Sequence, residues 1–308
     1  MKSKKNIFAI ISLILGLVCI GCLLWMIIYF IGLNRAEQKQ QEMLSMIAED
    51  TEALREDEGK DTSEAEAGTE QETDSEDISY SDSEATDSEA SDLEQADDLT
   101  EYGVTDRVID FDKLHEEENP DIYAWIQVPG TVIDYPVLQH PEEMDYYLEH
   151  NLDGSKGYPG CIYTQRMNAK DFSDPNTVLY GHNMKNGTMF AGLHQYRDSE
   201  FFEENPYIYI YTEDGRILVY KIFAAYEYSD LSLLMNFYMG SEEGRQQYFD
   251  SIWENEGLAN NFDTEVELTA ESRIITLSTC IANKPSNRYL VQGILQAEGE
   301  ANASIQTD

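Results

Sequence analysis

From Ile7 to Leu33 the chain runs 27 residues without a charged side chain. As a helix, that run covers about 40 Å, more than the roughly 30 Å hydrocarbon core of a bilayer. It closes as Trp25-Met-Ile-Ile-Tyr-Phe-Ile-Gly-Leu33, with no Ala-x-Ala cleavage site, so it reads as an uncleaved transmembrane anchor rather than a signal peptide. Trp25, Tyr29 and Phe30 have the character of an interfacial aromatic belt. Lys2, Lys4 and Lys5 precede the run, which predicts a cytoplasmic N-terminus over residues 1–6 and a single pass, with everything beyond residue 33 outside the cell.

Charge divides the remainder. The whole chain carries a formal −40, from 60 acidic and 20 basic residues in 308. Such a balance argues against nucleic acid as a partner, because phosphate binding requires a basic footprint. Residues 41–100 hold 23 acids against two bases. Residues 34–58 are rich in helix formers and predict a short stalk. From Gly59 to Thr100 there are almost no large apolar residues, so too little surface can be buried to offset ordering entropy. The segment 34–100 is therefore expected to be an acidic linker, disordered in its second half and extended by self-repulsion, which would space a domain from the membrane. Its acids lack the spacing and the glycine of a calcium-binding EF-hand loop. About 200 residues, 101–298, remain for one folded domain, and 299–308 reads as a flexible tail.

Within 101–298 the apolar pattern is mainly that of strands. Two apolar runs flank Asp214-Gly215 within Tyr207–Phe223, a strong hairpin signal. Shorter strands are predicted at Ala124–Val128, Gly160–Thr164, Thr177–Gly181, Glu265–Leu268, Arg273–Cys280 and Tyr289–Leu295. Asp110–Asn119 reads as a short helix stopped by Pro120. Ser241–Asn255 reads as a longer one, with Tyr248, Phe249, Ile252 and Trp253 on one stripe. Many short strands with few helices predict a mainly β barrel or sandwich carrying helical insertions.

Four cysteines are present. Cys19 and Cys22 lie inside the apolar run and read as helix filler. Cys161 reads as a small buried hydrophobe. Cys280 ends a β-branched run, where a thiol at the edge of the core is a candidate nucleophile. His182 follows the strand-like Val178-Leu-Tyr-Gly181, and Arg288 opens the last apolar run. If the runs 273–280 and 288–295 are neighbours, the short connection brings Arg288 beside Cys280. Thiolate, imidazole and guanidinium together would supply a nucleophile, a proton carrier and a fixed positive charge able to bind an oxyanion. Taken singly, each has an ordinary reading as a surface histidine, a structural thiol or a solvated arginine. His115, His140, His150 and His194 lie in polar or turn-like stretches and read as surface residues. No metal-binding motif or phosphate loop occurs outside the apolar run, so no metal or cofactor is expected.

The chain resembles the class B sortases of Gram-positive bacteria. The resemblance is carried by Asn119-Pro-Asp-Ile-Tyr-Ala-Trp-Ile-Gln-Val-Pro-Gly130, Ile133-Asp-Tyr-Pro-Val137, Asp145-Tyr-Tyr-Leu148, Asn176-Thr-Val-Leu-Tyr-Gly-His-Asn-Met184, Met189-Phe190 and Thr276-Leu-Ser-Thr-Cys280, with Arg288 after them. It covers residues 108–297. It implies an eight-stranded β-barrel with an N-terminal helix and a helix between strands 6 and 7, which would be Ser241–Asn255. It further implies a membrane-anchored cysteine transpeptidase that cuts a C-terminal sorting signal of secreted proteins at a Thr carbonyl. Cys280 would form the thioester, His182 would act as acid and then base, and Arg288 would stabilise the oxyanion. The acceptor would be an amine of a peptidoglycan precursor, lipid II. Ser278 and Tyr180 match positions near the signal groove. Leu234, Met235 and Phe237 are candidates either for its wall or for packing beneath the helix. An L,D-transpeptidase or similar cell-wall cysteine enzyme would be expected to show a Ser-His-Gly-Cys type motif, whereas Ser278-Thr-Cys-Ile281 stands here. A papain-like protease has its cysteine before its histidine. A non-catalytic anchored binding protein would be expected to have lost one of His182, Cys280 or Arg288.

Overall fold

The computed structural model describes residues 2–64, 94–95, 99–104, 107–255, 257 and 259–300. The acidic stretch 65–93 and the terminal residues 301–308 lie outside the described residues, and with them most of the predicted disordered linker and flexible tail.

Eight strands close into a barrel: β1 (Ile122–Gln127), β2 (Asp134–Leu138), β3 (Ile162–Thr164), β4 (Asn176–Tyr180), β5 (Tyr207–Thr212), β6 (Arg216–Ser229), β7 (Ile274–Ile281) and β8 (Lys284–Glu300). Around the barrel their order is β8-β7-β4-β3-β2-β1-β5-β6, and β6 pairs back onto β8. The contacts β2–β3 and β4–β7 are parallel and the others antiparallel. Two-residue strands add to this ring, Glu94–Gln95 beside β8 and Asn261–Phe262 beside β6. The hairpin predicted at Asp214-Gly215 joins β5 to β6, with Gly215 at φ +86°, a conformation that favours glycine. Strand β8 is 17 residues long and its pairing with β6 shifts register at Gln292/Gly293 and Leu295/Ala297. Such bulges bend a strand, which lets one element serve two neighbours around a closed barrel.

Among the described residues, six α-helices accompany the barrel: α1 (Lys2–Glu64), α2 (Phe111–Glu117), α3 (Tyr146–Glu149), α4 (Ser199–Glu204), α5 (Leu233–Asn236) and α6 (Glu242–Ile252). The Asp110 side chain caps α2 by accepting from the Lys113 amide, and Ser241 caps α6 by accepting from Gly244. Helix α6 sits between β6 and β7 and buries Tyr248, Phe249 and Ile252 against Val178, Phe223, Tyr226 and Leu290. The barrel interior is filled from every strand, with Tyr123, Ile126, Val137, Ile162, Leu179, Ile210, Leu218, Leu277 and Val291 all buried. A polar network lies on the other face of these strands, between the barrel wall and α6. Gln292 donates to the Tyr248 hydroxyl (2.8 Å) and to Thr276 Oγ1 (2.8 Å), and Asn176 donates to the same tyrosine (3.0 Å). Thr276 in turn donates to Asn176 Oδ1 (2.8 Å). The network ties β4, β7 and β8 to α6 and satisfies polar groups whose orphaning would be costly.

Three expectations change. Glu265–Leu268 is not a strand. Asp263 accepts from the Glu265 amide (3.1 Å) and from Lys221 (2.8 Å), which turns the chain out of the ladder, while Val266 and Leu268 still pack under α6. Strand β8 continues to Glu300, beyond the apolar run that marks its first half. The stalk predicted after residue 33 is one uninterrupted helix with the apolar run, and it lies on the barrel. Leu33, Met43 and Ile47 are buried against it. Gln40 donates to the Asp134 carbonyl (3.1 Å), Lys39 pairs with Glu118 (2.7 Å) and Lys113 with Asp50 (3.1 Å). The intervals of these residues place them on one helical face. Below them, Leu13 to Ile31 are exposed apolar residues on a helix long enough to cross a membrane.

Gly181, immediately after β4, is packed where a Cβ would come within 2.5 Å of Ile162 and 2.7 Å of Phe190. Gly181→Ala is therefore expected to cost about 1–3 kcal/mol through overpacking, read as a lowered thermal midpoint. An unchanged midpoint would show that the barrel mouth is softer than this packing implies.

Candidate active site

Three neighbouring strands end at one mouth of the barrel, and each delivers a polar side chain there. Strand β4 pairs in parallel with β7 from Asn176↔Ile274 to Tyr180↔Ser278. The ladder continues one step, with the Gly181 amide donating to the Ser278 carbonyl (3.2 Å), and Thr279 Oγ1 donates to the Gly181 carbonyl (2.8 Å). His182 is thereby set next to the end of β7. On the other side of β7, β8 pairs with Arg288 opposite Cys280 and Leu290 opposite Ser278. A turn with Asn283 at φ +62° joins the two strands. His182, Cys280 and Arg288 all line one cleft of about 330 Å³. The expected proximity of Arg288 to Cys280 follows from this register.

Of the two cysteines in the barrel, Cys280 is exposed and Cys161 is buried. The Cys161 thiol donates to the His150 carbonyl (3.6 Å), and burial pushes its pKa far up, so it stays protonated. Cys280 alone of the pair can meet a substrate. His182 Nε2 lies 2.7 Å from the Leu148 carbonyl oxygen. A carbonyl only accepts, so Nε2 carries a proton and Nδ1 is the nitrogen left to take one up or release one. The Tyr158 ring packs beside the imidazole, 5.0 Å between centroids. Arg288 Nη1 donates to the carbonyls of Pro285 (3.0 Å) and Asn287 (3.1 Å), which fixes the guanidinium at the mouth.

Ser278 and Tyr180 line the cleft. Tyr180 stacks on Tyr163 (5.5 Å between centroids), and burial holds its hydroxyl protonated, with a pKa pushed up to about 12. Leu234 and Met235 are not among the lining residues. Their segment contributes Leu231, Ser232 and Leu233 instead. Leu234 packs under α6, and Met235 is 74% exposed. Phe237 lies against Tyr248 (4.9 Å between centroids). The short helix α5 rotates these side chains away from the cleft, which an apolar pattern over so few residues cannot specify.

Several groups in and around the cleft were not singled out from the sequence as site residues. His194 is half-buried rather than a surface residue, and its Nε2 lies 3.1 Å from the Cys280 carbonyl oxygen. Asn183 Nδ2 donates to that same carbonyl (2.9 Å) and lies 2.9 Å from His194 Nε2. Burial lowers the His194 pKa, which favours a neutral ring, and since a carbonyl only accepts, its proton sits on Nε2 and is donated to the Cys280 carbonyl. Past Gly181 the main chain of β4 leaves the ladder, and these two side chains take its place at the end of β7. Asp145 also enters the cleft, accepting from Tyr163 (3.1 Å) and Gln165 (2.8 Å). Asn183 was legible as part of a motif. The Leu148 carbonyl was not, because a main-chain group leaves no trace in residue identity.

The arrangement suits nucleophilic attack by a thiolate on a carbonyl, with a proton carrier and an oxyanion-binding charge in the same cleft. Comparison with known proteins agrees. The family model described as Sortase domain matches residues 126–296. Sortase B of Listeria monocytogenes is 34% identical over 194 residues, 62% of this chain and 75% of that protein. Sortase B of Clostridium perfringens superposes with a TM-score of 0.50 at 31% identity, over 57% of this chain and 94% of that one. A Staphylococcus aureus sortase B–substrate complex superposes with a TM-score of 0.52 at 28% identity, over 60% and 83%. A closed eight-stranded barrel, an exposed cysteine at the end of its seventh strand and matches of this extent lead to one conclusion: the chain belongs to the sortase family, in its class B, and is a cysteine transpeptidase of the cell wall.

Proposed function

We propose that this chain cuts a C-terminal sorting signal of secreted proteins at a Thr carbonyl and passes the acyl group to an amine of a peptidoglycan precursor such as lipid II. The observation that carries the reading is the pairing of Arg288 opposite Cys280, with His182 on the same cleft. Cys280 Sγ, as thiolate, attacks the carbonyl carbon and forms the C–S bond. The negative charge that develops on the oxygen faces the Arg288 guanidinium. The C–N bond then breaks, and the amine leaves with a proton from His182 Nδ1. The incoming amine returns a proton to His182 as it attacks the thioester, and the thiolate is released. The Leu148 carbonyl at Nε2 holds the ring in place and leaves Nδ1 for this proton traffic.

Ser278 and Tyr180 contact the signal from the cleft floor, and Leu231 and Leu233 take the wall role expected of Leu234 and Met235. The N-terminal apolar helix is the single-pass anchor, with its lysine-rich end in the cytoplasm and the barrel outside. Residues 101–298 form the catalytic domain on this reading.

Cys280→Ala is expected to abolish both signal cleavage and transfer, with a native circular dichroism spectrum. Residual turnover at the wild-type rate would eliminate the thioester route. Arg288→Lys retains charge but loses planar two-pronged bonding, and its kcat is expected to fall on the order of 100-fold. Kinetics matching wild type would remove the oxyanion role. Asn183→Ala frees the Cys280 carbonyl and is expected to lower kcat about tenfold with KM little changed. A change confined to KM would instead place Asn183 in substrate binding.

A further inference from the structure

Helix α1 contains the apolar span and the barrel-docked segment without a break between them. Leu33, the last residue of the uncharged run, is already buried against the barrel, and Met43 and Ile47 continue the seam. Between and beyond them run the Asn186–Glu37 hydrogen bond (2.6 Å), the Lys39–Glu118 pair and the Val108 amide on Thr51 Oγ1 (2.9 Å). From Leu33 to Thr51 the helix extends about 27 Å along the barrel. The join is therefore a rigid one, and the height of each barrel residue above the span is set by where it meets the helix.

The lowest meeting point is Tyr158. Its ring lies edge-on to Tyr29 with centroids 6.5 Å apart. Its carbonyl oxygen lies 3.8 Å from where a Cβ on Gly32 would stand. Tyr29 itself stacks on Trp25 (5.7 Å) and meets Phe30 edge-on (6.0 Å). Tyr29 is four residues, about 6 Å, below the end of the uncharged run, in the layer where Tyr and Trp rings settle at a bilayer surface. Tyr158 is a further ring in that belt, contributed by the barrel and 55% exposed. Its opposite side faces His182, with centroids 5.0 Å apart. Leu148, which supplies the carbonyl on His182 and lines the cleft, is another exposed apolar residue there.

We infer that the loop carrying Tyr158 rests in the interfacial layer of the outer leaflet, held there by the docked helix, so that the His182 side of the cleft opens at the lipid surface. The inference rests on reading α1 as a membrane anchor. The partner of this surface is the bilayer itself. A ring with an apolar body and a hydroxyl tip suits that layer, and the exposed Lys156, paired with Glu149 (3.0 Å), stands two residues away at headgroup level. The docked segment continues the apolar run directly. The joint at Leu33 therefore sets the distance. An amine acceptor carried on a lipid then reaches the cleft without leaving the membrane.

The test uses the full chain in phosphatidylcholine/phosphatidylglycerol vesicles, with or without lipids brominated high on the acyl chain. Native Trp25, isolated by difference from a Trp25→Phe chain, reports insertion of the span. Tyr158→Trp adds a second reporter at an exposed position, read by difference from the parent chain. Both signals are expected to lose most of their intensity to the brominated lipid. Replacing Met43 and Ile47 with Asp on the seam is expected to restore emission at position 158 and leave Trp25 quenched. An unquenched Trp25 overturns the anchor and the inference with it. A quenched Trp25 beside an unquenched tryptophan at 158 overturns the inference alone. Quenching at 158 that survives in the Asp variant shows that the helix does not hold the loop, and overturns it as well.

Discussion

The register between β7 and β8 is the constraint on which the site depends. Side chains alternate along a strand, so a slip of one residue would turn every cleft-facing group toward the interior. The pairing of Arg288 with Cys280 is held from several directions. Strand β8 is bonded to β7 on one edge and to β6 on the other, where Arg288 lies opposite Tyr228. Closure of the barrel removes the free edge along which a strand could slide. Below the mouth, Gln292 bonds Tyr248 and Thr276 in the buried layer under α6, and its network reaches Asn176 on β4. A shifted β8 would leave those buried groups without partners, at about 1–3 kcal/mol each.

The cleft forms where this regularity stops. Main-chain pairing between β4 and β7 persists to Gly181 and Ser278 and then ends. Two strand positions further on, the Cys280 carbonyl is taken up by Asn183 and His194 side chains. Cys280 thus stands where β7 has parted from β4 yet stays paired with β8, which combines exposure of the sulfur with a fixed backbone. His182 is secured by a carbonyl from the 148 turn, and Arg288 by carbonyls of its own connection. Each of these three cleft groups is positioned by main chain or by a neutral polar side chain, and the fixed charge of Arg288 shares the cleft with Asp145.

Helix α1 bears on this geometry through Tyr158, whose ring lies between Tyr29 on the helix and His182 at the site. The apolar span and the active site are connected by two aromatic contacts rather than by a length of loose chain. On the reading of α1 as an anchor, the placement of the barrel relative to a bilayer becomes a property of packed side chains and of the partly buried ion pairs along the seam.

Much of this was legible in residue order. An uncharged run of 27 residues requires a helix with apolar surroundings, and Asp214-Gly215 between apolar runs requires a hairpin. The motifs around His182 and Cys280, with Arg288 after them, pointed to three groups that share one cleft and to a family. Signals of that kind are local, since periodicity, turn chemistry and motif spacing are all written within a few residues. What only the tertiary structure decided is what depends on groups distant in sequence. It placed Leu231 and Leu233 rather than Leu234 and Met235 on the cleft, brought His194 to the Cys280 carbonyl, and laid residues 34–51 of the expected stalk against the barrel. Each of these is fixed by a partner on another element, often a main-chain oxygen or the rotation of a one-turn helix. Such partners exist only after the barrel has closed.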